Sequence, residues 1–88
     1  MKYILKFTQK STDDIEFYKK SGNKSILRKI NSLIQEILET PLTGTGKPEP
    51  LKYQLTGFWS RRINREHRII YEITADSIVI HSLKGHYE

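Results

Sequence analysis

The spacing of apolar residues changes once along this chain, from the period of a helix to that of a strand, and the change limits the folds open to it. Between Lys24 and Thr40, the residues Ile26, Leu27, Ile30, Leu33, Ile34, Ile37 and Leu38 recur at i, i+3, i+4 and i+7, forming one continuous helical stripe. Pro41 ends it. The loop that follows, Thr43-Gly44-Thr45-Gly46-Lys47-Pro48-Glu49-Pro50, holds two glycines and two prolines, which forbid a helix or a central strand. Beyond it the apolar residues alternate, and Leu51 to Leu55, Phe58 to Asn64, His67 to Thr74 and Ser77 to Leu83 read as four strands. Their connections, Thr56-Gly57, Arg65-Glu66 and Thr74-Ala75-Asp76, are short enough to force antiparallel neighbours.

Ahead of the stripe, Tyr3 to Phe7 reads as a strand with Tyr3, Leu5 and Phe7 on one face, buried at an edge or in the centre of a sheet. Ser11 to Lys20 reads as a helix: Asp13, Asp14 and Glu16 come early and Lys19 and Lys20 late, the order a helix macrodipole favours. Ser21-Gly22-Asn23 breaks it, with Gly22 free to turn left-handed and Asn23 placed to cap the next helix. The expected fold is α+β: an N-terminal strand and a two-helix hairpin packed on a twisted antiparallel β-sheet. No repeat or linker interrupts the 88 residues, so one domain spanning 1–88 is expected.

A chain of this length holds one thin core and leaves no room for a dinucleotide-binding or P-loop ATPase domain. It has no cysteine, which excludes disulfides and thiolate metal clusters and fits a reducing cytoplasm. Apolar runs such as Ile69-Ile70-Tyr71 are far below the roughly 20 residues that span a bilayer, and the N-terminus has no signal-peptide core, so no membrane role is expected. Fifteen Lys and Arg against ten Asp and Glu suit a polyanionic partner, and equally an ordinary basic surface. Placement says more than the total. Four of the five arginines, Arg61, Arg62, Arg65 and Arg68, fall within eight residues, and His67, His81 and His86 lie in the last quarter.

Gly44 to Pro50 lacks the Gly-Lys-Ser/Thr ending of a phosphate loop and precedes no helix. Its notable residue is Glu49, whose flanking prolines lower the entropy cost of holding a carboxylate in place; it reads as a general base or as a solvated loop residue. Alternation sends Arg61 and Arg62 to opposite faces, and Arg65 falls in a turn, solvated or steering phosphate. Arg68, opposite in parity to Ile69 and Tyr71, either offers its fork of donors to a phosphate or pairs with Glu66 or Glu72. His67 and His81 read as sheet positions. Near the end, His86 is a candidate acid at neutral pH and Tyr87 a stacking surface. A carboxylate, an arginine, a histidine and an aromatic supply what metal-free RNA cleavage by the 2′-hydroxyl needs, with no cofactor. Asp13-Asp14 is explained by the helix dipole rather than as a metal site.

The runs Gly44 to Lys52, Leu55-Thr56-Gly57-Phe58-Trp59-Ser60-Arg61-Arg62-Ile63, Glu66-His67-Arg68-Ile69-Ile70-Tyr71 and the closing His86-Tyr87 closely resemble the Txe/YoeB toxins of the RelE superfamily, over the whole length of the chain. The resemblance implies a RelE-like microbial RNase fold and a type II toxin–antitoxin toxin that cleaves mRNA in the ribosomal A site. It implies Glu49 as general base, Arg68 as the phosphate-stabilising arginine, His86 as general acid and Tyr87 as the nucleotide-orienting tyrosine. Lys52 and Arg62 match basic residues implicated in RNA binding, and Arg65 joins them on charge and position. Glu88 departs from the family pattern, in which His-Tyr is commonly the end, and a carboxylate beside His86 would either favour its protonated form or pull it out of line. The implied partners are a cognate acidic antitoxin of the YefM/Axe type, the ribosome with its A-site mRNA, operator DNA only through the antitoxin, and a second copy in a homodimer. The rival reading is a non-catalytic module that blocks translation by binding RNA or the ribosome.

Overall fold

A computed structural model describes residues 2–52 and 55–85. Strand β1 (Ile4–Phe7) leads into helices α1 (Gln9–Lys20) and α2 (Lys24–Glu39), and strands β2 (Glu49–Pro50), β3 (Phe58–Arg62), β4 (Arg68–Ile73) and β5 (Ser77–Ser82) follow. Asn23 caps α2 as its sequence position requires, its side chain accepting the Ile26 N–H at 3.1 Å, and Gly22 takes φ 71°. Helix α1 starts earlier than the charge order implied, because Thr8 caps it, its hydroxyl accepting the Ser11 N–H at 3.2 Å. Asp13 and Asp14 therefore lie beyond the first turn. Asp14 is buried instead of complementing the helix dipole.

The helical stripe is the core. Ile26, Ile30, Leu33, Ile34 and Ile37 of α2 pack with Tyr18 of α1 against Ile69, Tyr71, Ile78 and Ile80 of the sheet. Burial of side chains this large contributes roughly 1.5–3 kcal/mol each relative to exposure, which is what fixes the helices on one face.

The five strands run in the order β1-β5-β4-β3-β2. The three linked neighbour pairs are antiparallel, as their short connections demand. The expectation of a wholly antiparallel sheet is corrected at β1, which pairs parallel to β5 and makes the sheet mixed. No turn joins those two strands, so none dictates their direction. Strand β1 is an edge, and Ile4 and Phe7 stay exposed. The expected strand from Leu51 to Leu55 is corrected as well. Residues 53 and 54 lie outside the described residues; among the described ones, pairing occurs at Glu49–Pro50 and the Leu51 N–H continues it, donating to the Phe58 carbonyl at 2.8 Å. The Leu55 N–H then closes a turn on the Lys52 carbonyl at 3.1 Å. Pro50 is tolerated because β2 is an edge strand.

Candidate functional site

Strand register decides which candidate residues can meet. Glu49 lies opposite Ser60, Ser60 opposite Ile70, and Arg62 opposite Arg68. Residues directly opposite point to the same face, so Glu49, Ser60, Arg62, Arg68 and Ile70 share the face turned away from the helices. Ser60 is the link. It is buried, and its hydroxyl accepts a hydrogen bond at 3.2 Å from Nη1 of Arg68, which aims the guanidinium across β3 toward the position facing Glu49. Arg68 forms no ion pair with Glu66 or Glu72 among the described residues. Glu72 is engaged by His81 at 2.9 Å, and His81 packs against the Phe58 ring at 4.6 Å between centroids. The reading of His81 as a satisfied sheet position is what the structure shows.

Beside Arg68 opens a pocket of about 470 Å³ lined by Lys29, Gly46, Arg62, Ile63, Asn64, Arg65 and Arg68. Four of these carry positive charge and none is acidic. Lys29, Arg62 and Arg65 are exposed and have no carboxylate partner among the described residues. The Asn64 side-chain oxygen Oδ1 accepts the Glu66 and His67 N–H groups at 2.9 and 2.8 Å, which fixes the turn that presents Arg65. Lys29 was missed by the sequence reading, because one lysine on the polar side of an amphipathic helix carries no distinguishing signal. Lys52 is exposed just after β2 and does not line the pocket. His86, Tyr87 and Glu88 lie outside the described residues.

The other arginine of the pair has the opposite fate. Arg61 is fully buried, and its Nη2 donates to the Thr40 and Thr43 carbonyls at 2.6 and 2.7 Å, while Nε donates to the Tyr71 hydroxyl at 3.1 Å. Nη1 reaches Oε1 of Glu36 and the Thr45 carbonyl, each at 3.4 Å, and the Tyr71 hydroxyl donates onward to Pro41. These bonds pin the loop that delivers Glu49 to the sheet edge. The Glu36 carboxylate also accepts the Thr45 N–H, and this bond, with help from Arg61, holds its pKa below the usual carboxylate value against the cost of burial. The Gly-Thr-Gly run serves this packing. A Cβ at Gly44 would collide with the Glu36 carboxylate, and one at Gly46, where φ is 88°, would come within 2.9 Å of the Arg62 carbonyl.

The sequence matches, over residues 7–87, the family described as the YoeB-like toxin of bacterial type II toxin–antitoxin systems. The chain belongs to this family. Toxin YoeB of Escherichia coli strain K12 is 47% identical over 83 residues, which cover 94% of this chain and 98% of that protein. Among solved structures, the YoeB dimer from Staphylococcus aureus superposes with a TM-score of 0.88 at 39% identity, over 99% of this chain and 100% of that one. The YoeB–YefM complex from the same organism gives 0.85 at 40% identity, with the same coverage. The two helices on a five-stranded mixed sheet are thus the YoeB-like fold, and this chain is a type II toxin–antitoxin toxin.

Proposed function

We propose that this toxin is an mRNA endonuclease that works in the ribosomal A site, using the RNA's own 2′-hydroxyl as nucleophile. The supporting observation is the register that sets Glu49 and Arg68 on one face with Ser60 between them, beside cations that have no carboxylate partner among the described residues. In the reaction the 2′ oxygen attacks the adjacent phosphorus and Glu49 takes its proton. The guanidinium of Arg68 neutralises the charge gathering on the phosphate oxygens. As the bond to the 5′ oxygen breaks, His86 donates a proton to that oxygen, and Tyr87 stacks on the neighbouring base. The fragments carry a 2′,3′-cyclic phosphate and a 5′-hydroxyl, so the atoms balance with no external reagent.

Lys52, Arg62 and Arg65 hold the flanking backbone, and Lys29 extends that wall from α2. The same positive face suits an acidic antitoxin in the cytoplasm, in the manner of the YefM partner of the S. aureus relative. Operator DNA is then reached only through the antitoxin, and homodimers follow the precedent of the S. aureus dimer.

Primer extension on ribosome-bound mRNA tests the assignment. The wild-type chain should cut in the A-site codon, and Glu49→Gln and Arg68→Ala should each lose about 10²–10⁴-fold in rate, the range expected for removal of an acid–base or charge-stabilising group. Translation arrest without any cut, unaffected by deletion of residues 86–88, would establish simple blockade instead.

A further inference from the structure

The chain's last described stretch, from Leu83 to Gly85, is held more firmly than the end of a small domain ordinarily is. Helix α1 devotes a face to it. Buried Asp14 accepts the Leu83 N–H at 2.9 Å, the buried Tyr18 hydroxyl donates to the Leu83 carbonyl at 2.8 Å, and the Lys84 ammonium sits 4.4 Å over the Phe17 ring. Burying a carboxylate is costly; Lys10 offsets the cost by pairing with Asp14 at 2.8 Å, and the carboxylate still accepts a backbone N–H 69 positions away, which ties α1 to this stretch. Burial, together with the Asp14 and Glu66 charges, pushes the Tyr18 pKa up to about 12, so its hydroxyl remains a donor throughout the neutral range.

The opposite side of the stretch is held by the β3–β4 hairpin. The Arg68 N–H donates to the Gly85 carbonyl at 2.8 Å, and the Gly85 N–H donates to Nδ1 of His67 at 2.9 Å. The His67 ring is itself set edge-on against Tyr18, 5.8 Å between centroids. The segment therefore leaves this clamp at Gly85, beside the arginine assigned to the phosphate, and the next residue in the sequence is His86.

We infer that His67, backed by Asp14 and Tyr18, is a positioning residue that fixes where the His86-Tyr87 tail begins relative to Arg68. The inference rests on the endonuclease reading above. His67 touches no reacting atom in this scheme; it acts through the Gly85 N–H. Its acceptor role requires an unprotonated Nδ1, because an imidazolium presents two donors and would set N–H against N–H.

The test compares His67→Ala, which removes the acceptor, with His67→Asn, whose side-chain oxygen stands where Nδ1 did and does not titrate. Two readouts are taken on the full chain: hydrogen exchange of the Gly85 amide, and single-turnover cleavage of ribosome-bound mRNA as a function of ribosome concentration. The alanine variant should exchange Gly85 faster and cut about tenfold more slowly at saturation, one hydrogen bond's worth of positioning, with an unchanged half-saturating ribosome concentration. The asparagine variant should recover most of the rate and the protection of the Gly85 amide, because its side-chain oxygen restores the acceptor. Alanine and asparagine variants cutting equally, or the alanine variant cutting at the wild-type rate with Gly85 deprotected, would overturn the inference and leave the endonuclease reading intact. A wild-type chain that never cuts would overturn both.

Discussion

Arg61 and Arg62 are neighbours in the chain and opposites in the molecule. Arg61 points into the helix-covered side of the sheet, where every branch of its guanidinium is spent on the loop from Thr40 to Thr45, on Glu36 and on Tyr71. Arg62 points outward into a pocket it shares with Lys29, Arg65 and Arg68, with no carboxylate to answer it among the described residues. The same side chain is a structural bolt on one face and available charge on the other. What separates the two roles is parity along β3, and the function of a basic run follows from which face each member reaches.

That contrast breaks most readily at Arg61. Arg61→Ala strips the donor from three carbonyls, removes one of the partners of Glu36 and of Tyr71, and empties the space a fully buried side chain filled, so it should destabilise the fold by about 3–5 kcal/mol in urea titration. A loss below about 1 kcal/mol would mean the loop is held by something else.

A smaller effect is expected from the other end of the same network. The folded-state pKa of Glu36 is depressed, so the stability it contributes is present above the ordinary carboxylate value and is lost as pH falls through the folded one. Glu36→Gln should therefore flatten the acid limb of the stability curve while changing little near neutrality. An unchanged acid limb in thermal melts from neutral to acidic pH would contradict the assigned bond from the Thr45 amide.

The least effect on stability belongs to the outward face. Arg62→Ala and Lys29→Ala should each stay within about 0.5 kcal/mol of wild type, since both side chains are exposed and neither has a carboxylate partner among the described residues. Their effect should fall on RNA, each lowering ribosome affinity and reducing the slope of affinity against salt by about one per phosphate contact removed. Variants that melt early but bind normally would place these residues on the structural side of the comparison.

The sequence carried the local part of this architecture. The α2 stripe, the Gly22-Asn23 break and the antiparallel hairpins were legible because each depends on residues a few positions apart. The parallel pairing of β1 with β5 was not, since it joins strands about 70 residues apart with no turn between them. Leu51 to Leu55 misled because Leu51, Tyr53 and Leu55 alternate as a strand would, whereas pairing starts two residues earlier at a proline-bounded edge. Burial of Arg61 left a usable trace: it shares parity with Trp59 of β3 and with Ile63 just beyond that strand, both turned to the core. The roles of Ser60, Asp14 and His67 left none, because each depends on a partner brought in by tertiary contact.

The central claim is that this small basic chain supplies charge and proton transfer while the RNA supplies the nucleophile. It is tested most directly by programming ribosomes with an mRNA whose scissile nucleotide carries hydrogen in place of the 2′-hydroxyl. The account predicts that the unmodified message is cut to a 2′,3′-cyclic phosphate and a 5′-hydroxyl while the deoxy message stays whole at every enzyme concentration. Cleavage of the deoxy message at the same site and a comparable rate would contradict it.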